Sequence, residues 1–231
     1  MNAADLRNQR VLIRCDHNLG DTIQFIRYLP MVQSIARDVV VHLPPALQPL
    51  LNVKSEGEHD VEIEVTDLAQ LFPAIPCDVP YLHAEPLPLH RDRLHVGIAW
   101  HSGGWHSKRD VPFALVEELA QIPAVTLHSL QEEDAGELAE TARLIRSLDL
   151  VITVDAIPAH LAGALGVPVW TLLHRECDWR WMAERDDSPW YPTMRLYRQR
   201  KAGDWSSVTR QLLRDVLAES SRTIASAARP A

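Results

Sequence analysis

The sequence has few cysteines and no cluster of basic residues. Three cysteines, Cys15, Cys77 and Cys177, are widely spaced among 231 residues and form no CxxC pair. This spacing argues against a disulfide framework and a structural zinc site, and it favours a reducing cytoplasm. With 23 Lys and Arg against 31 Asp and Glu, the formal net charge is −8. That balance disfavours nucleic acid and anionic membranes as partners.

Signals for export or membrane insertion are also missing. The first ten residues, MNAADLRNQR, contain no apolar segment of the signal-peptide kind. The most apolar stretch, 150–173, is interrupted by Asp155, His160, two prolines and two glycines. Such a stretch is too broken for a membrane span and is typical of buried strands around a helix. We therefore expect a cytoplasmic protein without a transmembrane segment.

Several common catalytic motifs are absent. The chain contains no GxGxxG, GxxxxGK[ST], HExxH, GxSxG or Asp-x-Asp pattern, and its eleven histidines show no ligand spacing. Dinucleotide oxidoreductases, P-loop enzymes, zinc proteases and serine hydrolases therefore lack support, as do metal-dependent sugar-nucleotide sites built on Asp-x-Asp.

The apolar pattern predicts strands that alternate with helices, which is typical of parallel sheets covered on both faces. Predicted strands are 11–14, 39–43, 61–65, 94–100, 125–129, 150–154 and 167–173. Predicted helices are 22–36, 112–121, 137–147, 157–165 and 205–218, and residues 220–231 are expected to be frayed or disordered. A proline-rich linker at 72–93 places a domain boundary near Arg93. We expect an α/β protein with two Rossmann-like halves, 1–93 and 94–231, facing a cleft.

The first candidate site is the turn at Gly20 and Asp21, which follows the first predicted strand. Open α/β sheets bind ligands at the carboxyl ends of their strands, near helix N-termini. Gly20 would allow a close approach, and Asp21 would project its carboxylate into the cleft. Asp21 followed by Gln24 is also a capping-box pattern, so a purely structural role is the alternative.

The second candidate site is the turn from Asp155 to His160. Here a predicted strand runs into a helix that Gly166 closes, so the start of this helix could hold a phosphate. Asp155 could instead cap the helix, and His160 could be an ordinary half-buried histidine.

Cations and indoles complete the candidate residues. The loop 101–110 combines small residues with Lys108 and Arg109, either of which could neutralise a diphosphate, although both could equally be solvated charges. All seven tryptophans lie between residues 100 and 205. Trp100, Trp179 and Trp181 are candidates for stacking on a sugar or base, against the alternative of core packing.

Several ordered motifs together resemble glycosyltransferase family 9. They are LGDTIQFIRYLP at 19–30, VGIAW at 96–100, DLVITVD at 149–155, AHLAGALG at 159–166, DWRW at 178–181 and SPWYP at 188–192. The resemblance covers about 11–218 and is to the heptosyltransferase-like domain that often follows tetratricopeptide repeats in bacterial proteins. The repeats themselves are absent from this sequence.

The resemblance implies a GT-B fold with an acceptor-side first half and a nucleotide-sugar second half. It implies hexosyl or heptosyl transfer with inversion, with no metal or other cofactor. Asp21 matches the general base of the family, and Asp155 and His160 bracket the donor turn. The diphosphate would bind at the start of the helix, at Ala156 and Ile157. A basic residue near the phosphates corresponds to Lys108 or Arg109.

Three departures from the family pattern leave alternatives open. Ala156 stands where the family usually has threonine, and Pro158 removes an N–H from the first helical turn. Residues 102–105 replace the usual Asn-Pro loop, and the first half is short. The rival interpretations are an inactive homologue acting as a nucleotide-binding, glycan-binding or protein-interaction module, and a sugar-nucleotide epimerase. The acceptor could be a glycan, lipid or protein, and a protein partner could complete the short half.

Overall fold

The computed structural model describes residues 2–90, 92–103, 107–131 and 138–227, and their strands form two parallel sheets. The first sheet contains β1 (Arg10–Arg14), β2 (Asp38–His42) and β3 (Val61–Glu64), in the order β2-β1-β3. Residues of β1 lie in register with both neighbours, since Leu12 is opposite Val40 and Glu62. The predicted α/β class, with a GT-B-like arrangement, is confirmed.

The second sheet has five strands in the order β5-β4-β6-β7-β8. They are β4 (Leu94–Ala99), β5 (Val125–Ser129), β6 (Leu150–Val154), β7 (Val169–Leu173) and β8 (Met194–Arg198). Every residue of β4 and β6 is buried, as expected for strands covered by helices on both faces. The sequence analysis missed β8, a strand of five residues in which Arg195 and Arg198 interrupt the apolar pattern.

The helices follow the predicted order with two corrections, and the short helix Leu68–Leu71 was not predicted. They are α1 (Leu19–Phe25), α2 (Leu29–Ile35), α3 (Leu68–Leu71), α4 (Ala114–Ala120), α5 (Leu138–Ser147), α6 (Ile157–Ala164) and α7 (Ser206–Ala227). A 3-10 turn, Ile26–Tyr28, divides the predicted helix 22–36, because Pro30 can occupy only the first turn of α2. Residues 220–227 were predicted to be frayed or disordered, and this prediction is wrong. Helix α7 continues through them to Ala227, and Ser220 is buried. Glu137, a predicted helix residue, lies outside the described residues.

The proline-rich segment 72–93 contacts both halves. The backbone N–H of Tyr81 donates to Ala164 O (3.0 Å), and that of His83 donates to Leu50 O (2.9 Å). Leu82, between them, is fully buried. One hydrophobic core contains residues of both sheets, so the division into domains 1–93 and 94–231 stays a prediction. Among the described residues, no helix is long and apolar enough to cross a bilayer.

Strand order determines where the candidate site lies. In the second sheet β5 lies on one side of β4 and β6 lies on the other. The chain therefore changes direction across the sheet between β5 and β6. Open α/β sheets bind ligands at such a change of direction, here at the carboxyl ends of β4 and β6. The segments after β1, β4 and β6 carry Asp21, Arg109 and Asp155 respectively, with Asp21 in the first turn of α1. Helix α1 packs directly against α6, and this contact brings the loops of the two halves together.

The packing of α6 makes a testable prediction at Gly163. A Cβ at this position would lie 2.3 Å from Cδ1 of the buried Tyr191, too close for any side chain without movement of the ring. We expect Gly163→Ala to lower the free energy of unfolding by about 2 kcal/mol, measured by denaturant titration. Gly20→Ala is the matched control, because its Cβ would lie 3.2 Å from the nearest side-chain atom and should cost less. Unchanged stability in Gly163→Ala would contradict the tight packing.

Candidate active site

Asn18, rather than Asp21, caps helix α1. Its Oδ1 accepts a hydrogen bond from the backbone N–H of Asp21 (2.9 Å), and its Nδ2 donates to Asp21 Oδ2 (2.6 Å). The predicted capping box of Asp21 and Gln24 is therefore wrong, because the helix begins three residues earlier than that pattern requires. The Asp21 carboxylate is thus available for another role. The sequence analysis missed Asn18, although asparagine is among the preferred caps.

Arg180 brings the second half of the chain to Asp21. Its Nη2 lies 2.9 Å from Asp21 Oδ1, and its Nη1 donates to Oε1 of the buried Gln24 (2.9 Å). Arg180 belongs to a 3-10 turn, Trp179–Trp181, which Asp178 caps. Gln24 and Arg180 are 156 residues apart in sequence. No local pattern indicates such a pairing, and the sequence analysis did not select Arg180.

Gly20 provides room for His160. A Cβ on Gly20 would lie 3.2 Å from His160 Cδ2 and 3.3 Å from Asn18 Oδ1. The close approach predicted at Gly20 is therefore made by a side chain of α6. This contact joins the turn that carries Asp21 to the turn predicted to hold the donor.

His160 is buried and neutral. Its Nδ1 lies 2.9 Å from the hydroxyl of Tyr191, and its ring stacks on Trp181 with a centroid distance of 5.5 Å. Burial lowers the pKa of His160 well below its usual value, and nearby arginine charges lower it further. The imidazole is therefore held as a neutral hydrogen-bonding group.

Asp155 does not cap helix α6. The N-cap is Ala156, which offers no side-chain hydrogen bond, and Pro158 lies in the first turn. Asp155 is 4% exposed and contacts Arg109, whose Nη1 donates to the Asp155 carbonyl (3.1 Å) and lies 3.4 Å from Oδ2. Burial raises the pKa of Asp155 above its usual value, although Arg109 opposes this shift. Because the first turn has no side-chain cap, its free N–H groups can receive an anion, starting at Ile157.

Several buried polar atoms near these residues have no hydrogen-bond partner among the described residues, and Arg109 Nε and Gln24 Nε2 are two donors of this kind. Buried donors without acceptors are costly, so native proteins usually satisfy them with water or a ligand. Arg109 is held by Asp155, and Gln24 by Arg180. Arg109 and Gln24 therefore each keep one buried donor that the described residues leave without an acceptor.

The structure distinguishes the two candidate cations. Lys108 is 76% exposed and pairs with Glu176 (3.2 Å), whereas Arg109 is directed to Asp155 at the donor turn. Of the two candidate cations, Arg109 is therefore the one that contacts the predicted donor turn. The remaining loop residues Gly104, Trp105 and His106 lie outside the described part of the chain.

The three candidate tryptophans differ in access. Trp181 is fully buried against His160, so stacking of a ligand on it is contradicted, because neither indole face is free. Trp179 is 64% exposed and makes a T-shaped contact with Trp190 (6.2 Å), so stacking of a ligand on it stays a prediction. Trp100 is half-buried and makes an edge contact with Phe113 (5.4 Å).

The described residues contain no group of three or more His, Cys, Asp or Glu side chains placed to hold a metal ion. The charged groups that meet in the cleft are carboxylates paired with arginines, namely Asp21 with Arg180 and Asp155 with Arg109. This arrangement combines a carboxylate, able to accept a proton, with an arginine beside an open helix N-terminus.

Residues 135–187 match the family model of glycosyltransferase family 9, the heptosyltransferases. The second half is similar to family 9 over this segment. The match includes the whole donor turn, Asp155 to His160, and the turn that contains Arg180. It confirms the resemblance predicted from the sequence motifs, over less than a quarter of the chain.

The chain is also similar to Protein FlbA of Caulobacter vibrioides. The two are 25% identical over 270 aligned positions, which cover 87% of this chain and 45% of FlbA. The chain thus spans less than half of the length of this curated relative.

Solved structures share the family 9 fold. A glycosyl transferase family 9 protein from Veillonella parvula superposes with a TM-score of 0.62 at 11% identity, covering 98% of this chain and 100% of that one. The iron-containing dodecameric glycosyltransferase TibC from enterotoxigenic E. coli gives 0.62 at 14% identity, covering 94% and 80%. E. coli ADP-heptose LPS heptosyltransferase II gives 0.54 at 12% identity, covering 92% and 99%. Because the sequence identities are only 11% to 14%, these superpositions establish a shared fold alone.

Proposed function

We propose that this protein is an inverting glycosyltransferase that moves a sugar from a nucleotide-diphosphate sugar to an acceptor hydroxyl, without a metal or other cofactor. One observation carries the proposal. The Asp21 turn of the first half lies against the donor turn of the second half, through the contact of Gly20 with His160. The Asp21 carboxylate, which can accept a proton, and the first turn of α6, which can bind an anion, therefore face the same cleft.

Asp21 acts as the general base. As the acceptor oxygen attacks the anomeric carbon, its proton passes to the Asp21 carboxylate. The bond from that carbon to the phosphate oxygen breaks, and the bonding electrons leave with the nucleoside diphosphate. Attack on the face opposite the leaving group inverts the anomeric configuration.

The donor diphosphate binds at the first turn of α6 and is neutralised by Arg109. The helix N-terminus supplies free N–H groups and the positive end of its dipole, and Arg109 supplies a full charge beside it. TibC has been solved with ADP-D-β-D-heptose. That nucleotide sugar is therefore the first donor to test, and hexosyl donors are the alternative.

Calorimetric titration with ADP, UDP, GDP and their sugar conjugates tests the donor site. We expect one nucleotide to bind with a micromolar dissociation constant, about −8 kcal/mol. Arg109→Ala should weaken binding by about tenfold or more, because a charged hydrogen bond to phosphate is lost. Asp155→Ala should also lose binding, since Asp155 holds Arg109 in place.

Lys108→Ala is the matched control, because Lys108 is the neighbouring cation and its ion pair with Glu176 is exposed. Its nucleotide affinity should equal that of the wild type. Equal losses in the Lys108 and Arg109 variants would contradict the assignment of Arg109.

An inactive homologue that binds nucleotides, glycans or a partner protein is the second candidate. Ala156 lacks the hydroxyl of the threonine usual in the family, and Pro158 lacks an N–H. Both favour this candidate, since each removes a hydrogen-bond donor from the start of α6. The first sheet has three strands against five in the second, so a partner protein could complete the acceptor side. A folded wild type that binds no nucleotide in the titration would support this candidate. The acceptor of an active enzyme would be a glycan, lipid or protein hydroxyl.

A further inference from the structure

We propose that Arg180 is a positioning residue for the reaction: it fixes the orientation of the Asp21 carboxylate and makes that orientation depend on the docking of the two halves. This inference rests on the proposed role of Asp21 as general base. Arg180 lies outside every donor or acceptor contact assigned above.

Both oxygens of Asp21 are held from opposite sides. Asn18 of the first half donates to Oδ2 (2.6 Å), and Arg180 of the second half lies 2.9 Å from Oδ1. A carboxylate oxygen can accept two hydrogen bonds, so each oxygen keeps a direction open for an acceptor hydroxyl. The carboxylate is therefore fixed in orientation without being blocked.

Arg180 is itself held on several sides. Asp178 Oδ1 accepts from its Nε (3.0 Å) and from its backbone N–H (3.1 Å). Gln24 accepts from Nη1, and the Arg180 carbonyl accepts from Nε1 of Trp190 (2.9 Å). The Arg180 side chain is 14% exposed, so little freedom remains to it. A shift of the second half would therefore move the Arg180 guanidinium, and with it the Asp21 carboxylate.

The pKa shifts of Arg180 and Asp178 favour the charged form of both side chains. Burial alone would lower the pKa of Arg180, but hydrogen bonds and charge from Asp178 and Asp21 raise it above its usual value. Burial alone would raise the pKa of Asp178, but hydrogen bonds from Arg180 bring it below its usual value. Asp178 and Arg180 therefore stay charged over the working pH range.

A double-mutant cycle on unfolding tests the pairing without any substrate. Arg180→Gln, Asp21→Asn and the double variant are compared with the wild type by denaturant titration. We expect a coupling of about tenfold in the unfolding equilibrium constant, about 1.4 kcal/mol. Arg185→Gln is the control, because Arg185 pairs with Asp187 (2.7 Å) on the surface and should change stability little. Additive effects of Arg180→Gln and Asp21→Asn would overturn the proposal.

A kinetic experiment separates positioning from phosphate binding. The probe is ADP-D-β-D-heptose, with ADP release as the readout. We expect Arg180→Gln to lower kcat about 30-fold with KM for the donor within threefold, and Arg180→Lys to recover about tenfold of the loss. A raised KM and weakened ADP binding with unchanged kcat would instead make Arg180 a phosphate ligand and overturn the proposal. If the wild type releases no ADP, the proposed function fails for this donor, and the unfolding cycle alone decides whether Arg180 positions Asp21.

Discussion

Asp21→Asn is expected to lower the rate of sugar transfer by about a thousandfold while leaving nucleotide affinity within twofold of the wild type. General base catalysis contributes about a hundredfold to ten-thousandfold, and an amide cannot take the proton. Asparagine keeps the shape of the side chain, so Asn18 and Arg180 retain a neighbour of similar size. Transfer is measured as release of nucleoside diphosphate and formation of glycosylated acceptor, in buffer with EDTA so that metal independence is tested together with the base.

Asp16→Asn is the matched control for this experiment. Asp16 lies in the loop just before α1, is exposed, and pairs with Arg14 of β1. Its transfer rate should match the wild type. Retained transfer in Asp21→Asn would reject Asp21 as the base, whereas loss of nucleotide binding in that variant would indicate a role in donor affinity.

Arg27→Met is expected to lower the free energy of unfolding by about 4 kcal/mol, the largest loss of stability that the structure predicts. The Arg27 side chain is buried and donates to Gln24 O (2.6 Å), Tyr81 Oη (2.8 Å), Pro76 O (3.3 Å) and the Trp190 carbonyl. Methionine fills part of the volume but leaves these acceptors unsatisfied, at about 1–3 kcal/mol each before relaxation. Because the acceptors belong to both halves and to the linker, the loss should appear as weaker global stability.

Aromatic rings add to the role of Arg27. Its guanidinium lies 4.9 Å from the ring centroid of Tyr81 and 4.6 Å from that of Tyr191, within cation–π distance. Arg37→Met, at an exposed arginine just beyond α2, is the control and should stay within about 0.5 kcal/mol. Denaturant titration measures both variants. A loss below 1 kcal/mol in Arg27→Met would show that water or backbone movement satisfies the acceptors.

The donor turn was predictable because its signals are local. A buried β-branched run, a polar turn and a helix closed by Gly166 follow one another within 150–166, and each is readable from periodicity or turn chemistry. The structure has β6 and α6 at these positions. The same reasoning failed at Asp21, where two residues compete as the helix cap. Asn18 caps the helix, so the Asp21 carboxylate is not the cap and pairs with Arg180 instead.

Residue patterns along the chain were sufficient for β1 to β7, for most helices and for the location of Asp21, Arg109 and Asp155 in the segments that follow strands, since those features depend on neighbours a few residues away. Packing of the two sheets decided the rest. It paired Asp21 with Arg180, chose Arg109 over Lys108 for the donor turn, and enclosed Trp181 while leaving Trp179 exposed. These outcomes depend on contacts between residues far apart in the chain, and the pairing of Asp21 with Arg180 joins the two halves where α1 packs against α6.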